Sequence, residues 1–289
     1  MRAYLYILSV AQDPDYSEQS VPFAIDEAEI FFGPCKKRLR QLLRKEFLRD
    51  TDSCEPEEDI YVIGFNGSNP SSKRKVIWAG KIKRVMTFAR ADVDLSSPRY
   101  DGIRQGTRPP LHVRPEYSQG NLVGYSKVGF LHSENWIYDL VQNPNRFPEE
   151  CISGGKMLAP PDRAPFDSFD RDACLLLENR FYASGTGLEI RSEMLEVLRS
   201  QQQGRAVDEY AIFGRRADGT ADGRVGSWLE LTGKPAQDFV SAVLEQASCL
   251  PRSVASGFRK PERICGHDGA CAPRKRTPNF VRPARRVCG

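Results

Sequence analysis

The chain has 289 residues, 40% hydrophobic and 28% charged, a globular balance that excludes a disordered chain, a fibre and a disulfide-stapled miniprotein. The longest apolar runs, such as Cys174-Leu175-Leu176-Leu177, fall far short of the roughly 20 residues that span a bilayer, so no membrane partner is expected. The formal net charge of +4 is uneven: Pro251 to Gly289 holds ten basic and two acidic residues, or +8, which leaves 32 against 36, or −4, on the rest.

The first ten residues are rich in Tyr, Ile, Leu and Val. Gln12, Asp13 and Asp15 follow at once, so this run reads as a first strand and not as a signal peptide, with a cytoplasmic protein as the expectation. Residues 11–34 read as loop. From Cys35 to Leu48, Leu39, Leu42, Leu43, Phe47 and Leu48 recur at helical spacing, which predicts an amphipathic helix with a basic opposite face. An acidic loop (51–58) leads to a strand from Asp59 to Phe65. Asn66 to Lys73 carries turn chemistry and predicts a hairpin loop. Lys75 to Phe88 reads as a long bent strand with Gly80 as its bulge.

Residues 92–129 and 144–170 are rich in Pro and Gly and read as long loops. Asp172 to Tyr182 and Asp208 to Gly214 read as strands; residues 189–201 and 236–249 read as helices. Strands mixed with a few helices, without regular alternation, predict an α+β fold. The expected form is a curved mixed or barrel-like β core with flanking helices and long Pro/Gly loops. Three regions are expected: a core over 1–235, a C-terminal helix packed on it over 236–250, and a basic Cys-containing tail over 251–289.

Several short motifs then follow in a fixed order. They are Cys35-Lys36-Lys37-Arg38-Leu39-Arg40, Asp59-Ile60-Tyr61-Val62-Ile63-Gly64, and Val76-Ile77-Trp78-Ala79-Gly80-Lys81-Ile82. After them come Glu134-Asn135-Trp136-Ile137-Tyr138, and Ala173 to Leu177 running on to Phe181-Tyr182-Ala183-Ser184-Gly185. In this order they resemble the nucleotide modification associated domain 2 family of bacteria and phages, over about residues 1–190. Trp136 is inserted where that family tends to run Asn directly into Ile-Tyr. The resemblance implies nucleic-acid or nucleotide chemistry linked to modified bases, with no catalytic residue set to carry over.

The residues offer several sites. Lys36, Lys37, Arg40 and Arg44 lie on the basic helix, where Lys37, Arg40 and Arg44 are expected to share a face away from the leucines. That face reads either as a phosphate surface or as an ordinary solvated face. Lys73, Arg74 and Lys75 close the hairpin loop, to track phosphates or to guard a sheet edge. Asn135, Trp136 and Tyr138 offer an amide and two rings to a base, and Trp78 reads either as a stacking platform or as core. Cys35 beside cations, with His132, offers a thiolate nucleophile and its base. Cys265, His267, Cys271 and Cys288 offer four ligands to a structural zinc in the tail, against the alternative of free thiols.

The function expected is a nucleic-acid- or nucleotide-directed protein associated with base modification. It would hold phosphates through basic residues and a base through an aromatic and amide pocket. Two alternatives stand beside it: a Cys-dependent transferase or hydrolase on a small substrate, and an interaction module with a basic tail.

Overall fold

The structure, a computed structural model, describes residues 1–7, 22–33, 36–66, 73–104, 110–111, 113–127, 152–153, 156–157, 163–164, 172–183, 187–221 and 228–249. All of them lie within one compact unit, Met1–Arg259. The first strands are β1 (Arg2–Ile7), β2 (Phe23–Ala24) and β3 (Glu29–Phe32), followed by helix α1 (Lys37–Phe47). Next come β4 (Ser53–Cys54), β5 (Ile60–Phe65), β6 (Lys75–Met86), α2 (Phe88–Asp94) and a 3-10 helix (Pro98–Ile103). The hairpin β7 (Val113–Ser118) and β8 (Asn121–Lys127) precedes three two-residue strands, β9 (Ile152–Ser153), β10 (Lys156–Met157) and β11 (Arg163–Ala164). The chain continues with β12 (Cys174–Tyr182), β13 (Leu188–Glu189), α3 (Ser192–Gln201), β14 (Trp228–Thr232) and α4 (Gly233–Ser248).

The fold is α+β, built on a nine-stranded mixed sheet whose main path runs β14-β1-β5-β6-β12-β3-β2, with β4 and β13 also paired to β6. Among the described residues only β1 and β5 run parallel; the other pairings in this sheet are antiparallel. Among the described residues the sheet is open, ending at β14 and β2, so the barrel-like alternative does not form.

Side-chain alternation sends each strand's residues to two different cores. From β1, Ala3, Leu5 and Ile7 pack with Met194 and Leu198 of α3 and with Phe239 and Val243 of α4. Tyr4 and Tyr6 point the other way, to Leu39 and Leu43 of α1. Helices thus cover both faces, which is why the central strands are near-continuous apolar runs rather than clean alternations. A third cluster, with Phe88 and Ala91 of α2, Ile103 and Tyr125, closes on Phe31, Cys174 and Leu176.

Aromatic size at the centre demands glycine opposite. Trp78 of β6 is 1% exposed and sits in a triangle with Tyr6 and Phe32, with ring centroids 5.7 to 5.8 Å apart. Its cross-strand neighbour is Gly64, where a Cβ would stand 2.0 Å from the indole nitrogen. Of the two readings of Trp78, core is the one that forms. Gly80 lies at a bulge, as expected, but the extra residue is Arg180 on the partner strand: Asn179 faces Gly80 and Phe181 faces Ala79.

The structure departs from the sequence reading in several places, and four of them shape the fold. Glu29–Phe32, read as loop, is a fully buried strand against β12; its short Ile30-Phe31-Phe32 run lies among acidic residues that obscure it. Residues 92–129, read as one long loop, contain the 3-10 helix and the hairpin; Gln119 and Gly120 both take positive φ, the two-residue turn that matches strand twist. Asp208–Gly214 is a pair of tight turns closed by Ala211 N–H to Asp208 O and Gly214 N–H to Ala211 O, and not a strand. Finally, Trp228–Thr232, which the reading passed over, is the strand that edges β1.

Candidate functional site

Helix α1 places its cations differently from the expected face. Arg40, Leu43 and Phe47 follow at intervals of three and four, so Arg40 belongs to the inward stripe. It is 0% exposed and pairs through Nη1 with Asp172, itself 0% exposed. The same Nη1 donates to the Ala173 carbonyl at 2.6 Å, and the Arg40 guanidinium lies 5.9 Å from the Phe88 ring centre. Arg40 is therefore a tie between α1 and the entry to β12 and is closed to a phosphate. Lys36 precedes the helix in the left-handed conformation, with Nζ 5.1 Å from the Tyr6 ring centre. Arg44 is half-buried. Among the described side chains, the exposed cations of α1 are Arg38 and Lys45, seven residues apart and hence on one face, with exposed Arg49 just past the C-cap Leu48.

The Lys73–Lys75 cluster is tied to the protein's own groups, and only Arg74 turns inward. Lys73 pairs with Glu209 at 2.9 Å, a bond that raises its pKa. Arg74 is 1% exposed, its Nη1 donates to the Asn66 carbonyl at 3.2 Å, and burial lowers its pKa. Lys75 approaches Glu189 at 3.7 Å. Asn66 closes the hairpin: its side-chain nitrogen donates to Lys73 O at 3.1 Å and its side-chain oxygen accepts from Lys75 N–H at 2.9 Å. The Arg74 amide donates to Glu209 O at 2.6 Å, which fixes the hairpin against the segment after α3.

That segment, residues 203–221, forms a cleft the sequence reading missed. Val207, Ile212 and Phe213 anchor it in the core beside Met194 and Leu198. On either side of these anchors the chain makes turns with positive φ at Gly204, Gly214 and Gly219, conformations that glycine adopts at no steric cost. The turns bring Arg205 together with Arg215 and Arg216, which line an open cleft of about 610 Å3. Small residues complete the lining: Gly204, Ala206, Ala217 and Gly219.

The arginines are held from behind. Arg205 Nη1 donates to the Phe213 carbonyl at 3.1 Å. Arg215 holds one oxygen of Asp208, Oδ2, through both Nε at 2.9 Å and Nη2 at 2.7 Å, and donates from Nη1 to Gly219 O at 2.9 Å. Arg216 rides a hairpin closed by its own N–H to Thr220 O at 2.8 Å. At the hairpin tip the Thr220 hydroxyl and amide donate to Asp218, which together with the Arg216 charge hold that carboxyl below its ordinary pKa. Such backing holds the Arg205 and Arg215 guanidinium groups, and the Arg216 backbone, in place before a ligand arrives, and planar guanidinium groups match phosphate oxygens. A signal was present in the sequence, the Arg215-Arg216 pair framed by Gly214 and Gly219, but Arg205 lies ten residues away and only the turns bring it near.

The remaining predicted residues, Cys35, His132, Asn135, Trp136, Tyr138 and the four tail ligands Cys265, His267, Cys271 and Cys288, lie outside the described residues, as does the Lys37 side chain. Among the described residues no group of three or more His, Cys, Asp or Glu is placed to hold a metal, and no helix is long and apolar enough to cross a membrane. No family model, no curated protein and no solved structure matches the chain.

Proposed function

We propose that this chain is a nucleic-acid- or nucleotide-directed protein, associated with base modification, that grips phosphate groups through arginine. The observation that carries the reading is the cleft of about 610 Å3 lined by Arg205, Arg215 and Arg216 on turns locked to the core. Charge-assisted bonds from fixed guanidinium groups are the strong kind for a phosphate. The exposed cations Arg38 and Lys45 on α1 and Arg49 just after it support the same class of partner, as does the excess of basic residues after Pro251. The ordered motifs that resemble the nucleotide modification associated domain 2 family point in the same direction.

The test is fluorescence anisotropy of labelled single- and double-stranded oligonucleotides at low salt, with the full chain and an R205S/R216S variant. The reading expects binding that weakens by about tenfold or more in the variant, since each charge-assisted bond contributes roughly 1.5–3 kcal/mol. Absence of binding of any oligonucleotide or nucleotide by the folded full chain refutes it.

A further inference from the structure

We infer that the arginine cleft is blind to the base: it seats the phosphate chain of its ligand, and any base recognition takes place elsewhere on the protein. This deepens the proposed function and rests on it.

The first ground is the chemistry of the lining. Reading a base requires a ring to stack on, or acceptors as well as donors facing its edge. Among the described residues, the lining of the cleft offers three guanidinium groups and four Gly or Ala residues, with no aromatic ring, side-chain amide, hydroxyl or carboxylate. Guanidinium groups donate and do not accept. The amino groups of adenine and cytosine therefore meet no side-chain acceptor. Guanine alone shows two adjacent acceptors to a guanidinium fork. Part of that donor set is already engaged, since Arg205 holds Phe213 O and Arg215 holds both Asp208 and Gly219 O.

The second ground is access to the backbone. Gly204 and Gly219 have open space where a Cβ would stand, so the main chain at both rims admits close approach. The Gly219 amide itself donates to Arg216 O at 2.9 Å, so these glycines supply room for a phosphate chain while the guanidinium groups supply the bonds.

The third ground is position. The segment of the cleft packs with α3 on one face of the main sheet, while the exposed cations Arg38 and Lys45 belong to α1 on the other face. A small ligand in the cleft cannot borrow selectivity from α1.

The test is calorimetric titration of the full chain at low salt with ATP, GTP, CTP, UTP and inorganic tripolyphosphate. Wild type is compared with R216A and R205S, each first checked for a wild-type melting transition. Arg216 is an exposed hairpin residue, so R216A keeps the test available where R205S does not fold. The inference expects the five ligands to agree within about twofold and to weaken in parallel by about tenfold in the variants. GTP binding about tenfold tighter than tripolyphosphate, with the excess lost in R216A, overturns base-blindness and leaves the proposed function standing. Affinities unchanged in both folded variants overturn it as well, by placing the phosphates elsewhere. If none of the five ligands binds, and no oligonucleotide binds either, the proposed function falls with it.

Discussion

Arg205 lies directly across Gly214: a Cβ on that glycine would stand 2.6 Å from the Cβ of Arg205 and 3.0 Å from its Cδ. Gly214 also has φ 80, so its bare backbone serves both the turn and the seating of the arginine. G214A is expected to destabilise by about 1–3 kcal/mol and to weaken phosphate binding together with it. G204A meets the same backbone demand, φ 77, with nothing within 4 Å of the new Cβ. It is expected to cost about 1 kcal/mol or a little more. Urea unfolding of the two variants separates the steric effect from the backbone effect.

The buried Arg40–Asp172 pair joins α1 to β12, with Asp172 also accepting from the Ala173 amide at 2.9 Å. Removing one partner strands a charge in the core, so D172A or R40A is expected to lose about 3–5 kcal/mol. The double variant R40M/D172L removes both charges and is expected to recover much of that loss. A double-mutant cycle in urea measures it, and losses that simply add contradict the pairing.

Gly64 and Trp78 form a cross-strand fit with no room to spare. G64A is expected to cost about 1–3 kcal/mol by overpacking and to change the tryptophan emission. Shortening Trp78 in the same chain, as G64A/W78L, is expected to restore part of the stability lost in G64A. Equal stability of G64A and wild type is the contrary result.

Cys174 is fully buried between the sheet and α2. Burial pushes its thiol well above the ordinary range, Arg40 opposes that shift and Asp172 adds to it. The folded chain therefore keeps the Cys174 proton where the unfolded chain, with a thiol pKa of about 8.5, loses it. Above that pH the unfolded state binds fewer protons than the folded one, so the contribution of Cys174 to stability falls as pH rises. The thiol is expected to resist alkylation in the folded chain at pH 8 and to react in urea, while exposed Cys249 reacts in both. Peptide mapping by mass spectrometry reads each cysteine separately.

Much of the fold was legible because burial on both faces leaves long apolar runs. β1, β5, β6 and β12 stand out as Tyr, Ile, Val and Leu segments, and α1 as a repeat of leucines. The errors have physical causes. Arg40 looked solvent-facing because arginine is seldom buried, yet its spacing to Leu43 and Phe47 placed it inside, and only Asp172, 132 residues away, explains how the core accepts it. Lys73 and Lys75 looked free because their partners, Glu209 and Glu189, are distant in sequence. The arginine cleft escaped because its residues are gathered by turns, and turns erase the periodicity by which helices and strands announce themselves.

The most direct measurement is the salt dependence of single-stranded oligonucleotide binding, for the full chain and the R205S/R216S variant. Counterion release makes the slope of log affinity against log salt a count of neutralised phosphates, about −0.7 for each on a single strand. The basic region after Pro251 and the α1 cations are the same in both proteins, so the difference belongs to the cleft. A slope shallower in the variant by about one to two contacts, with weaker binding at every salt concentration, is the expected result. Identical slopes and affinities would contradict the account, because the arginines of the cleft would then touch no phosphate.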